Sequence, residues 1–204
     1  MKICVLGLGY IGLPTALLFA AHGADVVGVD VKQDVVDCLN HGNLPFKEPG
    51  IEDLYREAKD RFTASIEPEP ADVFLMAVPT PLDPATKVSN LTYVKSAADS
   101  IVPHLRKGNL VILESTVPPG TSERVVIPRL EKSGVRIGEF LYAHCPERAI
   151  PGHTIQEMSE NSRIIGGYDR DSIDRATSIY QTFVRGQIYQ TDIRTAEFVK
   201  LMEN

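Results

Sequence analysis

Two periods alternate along the chain. Short runs of consecutive apolar β-formers predict buried strands at Lys2–Leu6 (KICVL), Ala24–Val29, Ala71–Val78, Asn109–Leu113 and Glu139–Ala143. Weaker runs at Arg61–Ile66, Arg163–Ile165 and Gly186–Gln190 add candidates, about eight in all. Between them, apolar residues recur at helical spacing: Pro14–Ala21, Gln33–Asn40 with Val35, Val36 and Leu39 on one face, Ile51–Lys59, Leu91–Val102, Glu123–Glu131, Asp171–Phe183, and 192–204. Asn90 is placed to cap the helix at Leu91, and Thr121 or Ser122 the one at Glu123. Glu52 and Arg56 can pair at i,i+4, a surface feature. Strand–helix alternation predicts an α/β domain over 1–191, with a doubly wound, mostly parallel sheet and helices on both faces. The segment 192–204 reads as the start of a long helix that stops because the sequence does, with no Gly or Pro stop signal; a truncated chain is expected. Ala196, Phe198, Val199 and Leu201 give that helix an apolar face expected to be exposed.

The first strand runs straight into Gly7-Leu8-Gly9-Tyr10-Ile11-Gly12, then a helix with Pro14 near its start, then a second strand ending on Asp30. Each piece has a physical task. Gly7 permits a tight turn, Gly9 lets the backbone approach a pyrophosphate, and Gly12 lets the helix pack close to the strand. Free N–H groups and the helix dipole favour a diphosphate there. Asp30 lies 18 residues beyond Gly12, where its carboxylate can accept from both ribose hydroxyls of an adenosine. An acid there repels a 2′-phosphate, favouring NAD over NADP, although Lys32 can soften that repulsion. The whole strand–turn–helix–strand–acid unit makes the domain Rossmann-like, with NAD as its expected cofactor.

Ligands in such sheets sit outside the carboxyl ends of the strands. That places Pro79 and Thr80, after the third strong strand, near the cofactor, and Thr116 near the end of the next. The plainer alternative for Thr80 is a local cap in a rigid Pro-rich turn. The cofactor candidates are therefore Gly7, Gly9, Tyr10, Ile11, Gly12, Asp30, Lys32, Pro79, Thr80 and Thr116.

Composition narrows the classes. The 204 residues are 43% hydrophobic and 24% charged, ordinary for a globular protein. A formal charge of −6 argues against nucleic acid as a partner. No apolar run reaches membrane-span length, and the chain opens on a core strand, so neither a membrane segment nor a signal peptide is expected. Cys4, Cys38 and Cys145 are odd in number and lack CxxC spacing, which argues against a disulfide framework or a metal site. A reducing, cytoplasmic location follows.

Six segments in order, GLGYIGLPTA (7–16), VGVD (27–30), AVPTP (77–81), ESTVPPGT (114–121), CPERAIPG (145–152) and RTAEFVKLMEN (194–204), resemble the N-terminal half of the UDP-glucose/GDP-mannose dehydrogenase family across the full chain. The resemblance implies oxidation of the C6 alcohol of a nucleotide sugar to a carboxylate with two NAD, through a thiohemiacetal and a thioester on a cysteine. The family's nucleophile sits in a Gly-Gly-His-Cys segment absent from this sequence, and none of the three cysteines matches it. By the same resemblance Glu147 handles protons during thioester hydrolysis, Thr116 helps hold a catalytic water, and Lys200 and Asn204 flank C6. Glu147, Arg148, Lys200 and Asn204 are the implied substrate contacts. Pro151 stands where glucose and mannose members carry an acid, and Arg148 where they carry an aromatic. CPER…PG is similar instead to the branch acting on UDP-N-acetylhexosamines, UDP-N-acetylmannosamine before UDP-N-acetylglucosamine. Arg148 can bind part of the substrate or pair with a nearby carboxylate. The family also implies a homodimer through a central helical region beginning near Thr191, and a uronate supply for surface polysaccharides.

Two other readings stay open. A β-hydroxyacid dehydrogenase also places a lysine and an asparagine on a helix after such a domain, but leaves CPER…PG unexplained. A non-enzymatic NAD-sensing module leaves Glu147, Lys200 and Asn204 without a task.

Overall fold

The structure is a computed structural model that describes Met1–Glu203. Eight strands form one sheet: β1 (Lys2–Leu6), β2 (Asp25–Val29), β3 (Phe62–Ser65), β4 (Val73–Met76), β5 (Leu110–Leu113), β6 (Leu141–His144), β7 (Arg163–Gly167) and β8 (Ile188–Asp192). Their order is β3-β2-β1-β4-β5-β6-β7-β8. Neighbours are parallel except β6 and β7, which run antiparallel, so β7 and β8 form a parallel pair pointing the other way. The doubly wound, mostly parallel sheet expected from the sequence is present.

Strand side chains alternate between two buried faces. Ile3, Val5, Val73, Leu75, Leu110 and Ile112 face one core, shared with α1 (Gly12–Ala21), α2 (Gln33–Asn40), α3 (Ile51–Ala58), α6 (Thr154–Glu160) and α7 (Arg170–Tyr180). Cys4, Leu6, Phe74, Met76, Val111 and Leu113 face the other, covered by α4 (Thr92–Ile101), α5 (Ile127–Leu130) and α8 (Ile193–Glu203). Burial on both faces explains why these strands are continuous apolar runs.

Several expectations need correction. The helix expected over Glu123–Glu131 is a wide π-helical turn, Ser122–Val126, followed by α5 and a 3₁₀ turn, Glu131–Ser133. Pro128 lies inside it and has no N–H to donate, which a regular helix does not accommodate. Neither Thr121 nor Ser122 caps it by its side chain: Thr121 Oγ1 donates to Pro118 O at 2.6 Å, and Glu197 of α8 takes the free N–H groups. Arg56 pairs with Asp53, not Glu52. Helix α6 has no counterpart in the sequence reading, because it is short and follows a Pro–Gly turn. Ala196 is fully buried against Gly166, whereas Phe198 and Leu201 are exposed. The N-cap of α4 is Leu91, not Asn90, and has no side-chain cap; Asn90, one residue earlier, accepts on Oδ1 from Thr92 N at 2.9 Å. The start of a long helix is not evident beyond α8 itself, and Asn204 lies outside the described residues.

Candidate functional site

The Gly-rich turn has the geometry its sequence predicts. Gly7 sits at φ +94°, and a Cβ there meets Ala77 O at 2.7 Å. A Cβ on Gly12 meets Gly7 O at 1.8 Å, so helix and turn are packed backbone to backbone. At Gly9 a Cβ meets no protein atom within 4 Å; the space beside it is open to a ligand. At the start of α1, Leu13 N and Thr15 N donate to Gly9 O and Ile11 O at 3.1 Å and Pro14 has no N–H, so the donors left for a ligand are the N–H groups of the turn itself. Asp30 is fixed by Leu8 N on Oδ2 and Lys32 N on Oδ1, both at 3.0 Å. The acid is thus tied to the turn it serves. Tyr10 is half exposed and stacks on Phe46 with centroids 4.3 Å apart. These features fit a dinucleotide: an open approach at Gly9, free N–H groups, and a carboxylate one strand away.

A cavity of about 900 Å³ runs from this turn across the carboxyl ends of β4 and β5. Gly7, Gly9, Tyr10, Ile11, Asp30, Lys32, Pro79, Thr80, Thr116 and Glu147 all line it. Gly12 lies behind the turn, and Arg148 and Lys200 are not on this wall. Arg148 is exposed and pairs with Glu203 at 3.1 Å, the carboxylate partner left open by its sequence. Lys200 is buried on the inner stripe of α8 with Ile193, Ala196 and Glu197. Asn204 lies outside the described residues.

The strand ends are tied to each other. Thr80 Oγ1 donates to Thr116 O at 2.7 Å, and Ser115 Oγ to Val78 O at 2.7 Å. Thr80 is therefore a local tie as well as a wall residue. Beyond them the Pro118–Thr121 turn is held by Glu197, which is fully buried and accepts from Gly120 N and, at 2.8 Å, from Ser122 N. One helical turn separates Glu197 from Lys200.

Sequence reasoning singled out Glu147 but assigned no role to Glu114, Arg163, Tyr180 or Thr15, which form a buried polar cluster with it. Glu114, at the end of β5, lines the cavity and is almost fully buried. It accepts from Thr15 Oγ1 at 3.1 Å, Tyr180 OH at 3.0 Å and Arg163 Nη1 at 3.1 Å. The other guanidinium nitrogen of Arg163 pairs with Glu147 Oε2. Glu147 Oε1 accepts from Arg148 N at 2.7 Å and Ala149 N at 3.0 Å. Burial pushes the Glu114 carboxyl up to about 7, against the pull of Arg163. Burial opposes the charge of Arg163, but Glu147, Tyr180 and Glu114 outweigh it and hold its pKa above the usual value. Burial pushes the Cys145 thiol, beside this cluster, up as well. All three cysteines are free. A signal for Arg163 existed: it is the one charged residue opening an otherwise apolar run, RIIGG.

Glu48 ties the loop before α3 to the CPERAIPG segment, accepting from Gly152 N and Thr154 N at 2.9 Å each. Although burial opposes ionisation, these N–H donors hold its carboxyl below the usual range. His144, at the end of β6, has no hydrogen-bond partner for either ring nitrogen among the described residues, and burial pushes it down to about 3. Among the described residues no cluster of His, Cys, Asp and Glu is placed to hold a metal ion. No described helix is long and apolar enough to cross a membrane.

Comparison with known proteins is consistent over the whole chain. The sequence profile of the UDP-glucose/GDP-mannose dehydrogenase family, NAD binding domain, matches residues 1–184. A UDP-N-acetyl-D-mannosamine dehydrogenase from Methanococcus maripaludis is 46% identical over 209 aligned positions, covering 100% of this chain and 47% of that protein. An NDP-N-acetyl-D-galactosaminuronic acid dehydrogenase from Ralstonia nicotianae is 45% identical, covering 99% and 50%. Among solved structures, the UDP-N-acetyl-mannosamine dehydrogenase of Staphylococcus aureus superposes with a TM-score of 0.95 at 45% identity, covering 100% of this chain and 50% of that one. The chain spans about half the length of the relatives it matches.

Proposed function

Because the chain belongs to the UDP-glucose/GDP-mannose dehydrogenase family through its NAD-binding domain, we propose that it is the cofactor-binding half of a nucleotide-sugar 6-dehydrogenase. The whole enzyme oxidises the C6 alcohol of a UDP-N-acetylhexosamine, UDP-N-acetylmannosamine first, to the uronate with two NAD. The observation that carries the reading is a single cavity walled by Asp30 and the Gly7–Ile11 turn at one end and by Thr116 and Glu147 at the other. The sugar follows from CPER…PG and from the names of the relatives that align over the full chain.

NAD, when bound, supplies the hydride acceptor. The chain's own residues bind and orient. The α1 N-terminus and its dipole hold the diphosphate. Asp30, fixed by two backbone N–H groups, orients the adenosine ribose and rejects a 2′-phosphate. Glu147 has a more specific place in the scheme. Its Oε1 is occupied by two amide N–H groups. The remaining lone pair of Oε2 is where this carboxylate takes up a proton. Thr116 holds water near it. Lys200 and Asn204 flank C6, where an ammonium and an amide stabilise an oxyanion, and Arg148 contacts the substrate once released from Glu203. Residues 1–191 form the NAD-binding domain and 192–204 begin the central helix through which the full-length protein dimerises in the cytoplasm. The nucleophilic cysteine lies outside this sequence.

The test is NADH formation by the full-length protein with UDP-N-acetylmannosamine, UDP-N-acetylglucosamine, UDP-glucose and GDP-mannose side by side. Two NADH per UDP-N-acetylhexosamine is the expected result. Activity on UDP-glucose or GDP-mannose alone removes the branch assignment and keeps the reaction. No activity on any, with NAD bound, moves the reading to a β-hydroxyacid dehydrogenase or a sensing module.

A further inference from the structure

Glu147 stands in the proposed mechanism, yet nothing in that mechanism explains how its carboxylate is aimed. The loop carrying it offers two amide N–H groups to one oxygen and nothing to the other. The other oxygen is held from a different element, by Arg163 at the start of β7. We propose that Arg163 is a positioning residue: seated on the ring of Tyr180 and anchored by Glu114, it fixes the Glu147 carboxylate at the cavity wall. This rests on the role of Glu147 given above.

The anchoring is over-determined. The Arg163 side chain is only 4% exposed and the two carboxylates 0% and 4%, so none of the three charges is solvated away. The guanidinium carbon lies 4.4 Å from the Tyr180 ring centroid, a stacking contact that suits a planar cation. Tyr180 OH donates to the same Glu114 oxygen that Arg163 Nη1 reaches. Thr15, on the helix that starts at the Gly-rich turn, donates to the other Glu114 oxygen. The chain Thr15–Glu114–Arg163–Glu147 thus links the nucleotide-binding helix to the proposed acid–base group through three side-chain contacts.

Charge counting explains why two carboxylates share one guanidinium. With both ionised the cluster carries a net charge of −1 in a buried site. One member is favoured to hold a proton. Glu147 has two amide donors and the charged pair. Glu114 has two hydroxyl donors and deeper burial, and its carboxyl is the one raised to about 7. The other titratable groups facing the cluster are Cys145 and Tyr180, and burial drives both upward, away from neutrality. Glu114 is therefore the member that takes the proton. When Glu114 ionises, two anions compete for Arg163 and the hold on Glu147 weakens.

The test uses the full-length enzyme with NAD and UDP-N-acetylmannosamine. Arg163→Met is expected to lower kcat about 100-fold, the scale of a misplaced catalytic group, with the NAD dissociation constant unchanged. Arg163→Lys keeps the charge but not the planar fork, and is expected to fall between. The double variant Glu114→Gln/Arg163→Met leaves Glu147 as the one charged member of the cluster, free of a second carboxylate; it is expected to fold, as circular dichroism reads, yet keep the low kcat. Glu114→Gln alone is expected to remove an inflection near pH 7 from the kcat–pH profile. Wild-type kcat in the folded double variant, or an unchanged pH profile in Glu114→Gln, overturns the inference. A wild-type enzyme that makes no NADH from any sugar nucleotide overturns the functional reading instead, and this inference falls with it.

Discussion

The two ends of the sheet build their parts of the site in opposite ways. At the β1–β2 end, the glycine turn and the acid both come from one stretch of about thirty residues, and contacts such as Leu8 N to Asp30 join near neighbours in the fold's first unit. At the β6–β8 end, each side chain is held from far away. Arg163 reaches back to Glu114, Glu197 spans to Gly120, and Glu48 grips Thr154. The first end is a local motif that any sequence of the right pattern can form. The second exists only once the β7–β8 pair has docked antiparallel against β6.

The difference can be broken most severely at Gly12. Gly12→Val places side-chain atoms where a Cβ already lies 1.8 Å from Gly7 O. It is expected to cost about 4 kcal/mol or more in urea unfolding and to abolish NAD binding. Next, Glu197→Ala cuts the distant end alone. It leaves the buried Gly120 and Ser122 N–H groups without their acceptor, and is expected to cost about 2–4 kcal/mol with NAD affinity retained. Loss of NAD binding along with that stability change would erase the contrast. Asp30→Ala acts at the local end, removing the ribose acceptor together with its ties to Leu8 N and Lys32 N. It is expected to weaken NAD about tenfold, or about 1.4 kcal/mol, and narrow the gap to NADP, read by calorimetric titration.

Acidity separates the ends more finely. Glu114 is raised from 4.5 to about 7. The folded protein binds that proton more tightly than the unfolded chain. Its contribution is therefore complete below pH 4.5 and is lost as pH rises through 7. Glu114→Gln is expected to flatten that limb of the stability profile by about 3 kcal/mol. His144 acts in the opposite direction: lowered from 6.5 to about 3, it adds stability above pH 6.5 that is lost as pH falls toward 3. His144→Leu is expected to flatten the acid limb between pH 6.5 and 3, while any packing change moves the whole profile without altering its slope.

What could be read from the sequence follows the same division. The Gly turn, Asp30 and the strand-end Thr80 and Thr116 were legible because period and turn chemistry act over short distances. The central strands were also legible, since buried parallel strands are apolar throughout, whereas the edge strands β3 and β8 carry exposed polar positions and gave only weak runs. Arg163 read only as part of a weak strand, and Glu114 as one letter of a motif, because their meaning lies in a contact 49 residues apart. Glu197 left a faint trace: with Ile193, Ala196 and Lys200 it falls on the inner stripe of α8, an odd place for a carboxylate. Helix α6 left none, being seven residues long and dependent on Glu48 for its N-terminal donors.

The most direct measurement of the central claim is titration of NAD and then NADP into the protein, with heat as the readout. The account expects one site for NAD and at least about tenfold weaker binding of NADP, the discrimination Asp30 imposes. No NAD binding, or equal binding of the two, would contradict it.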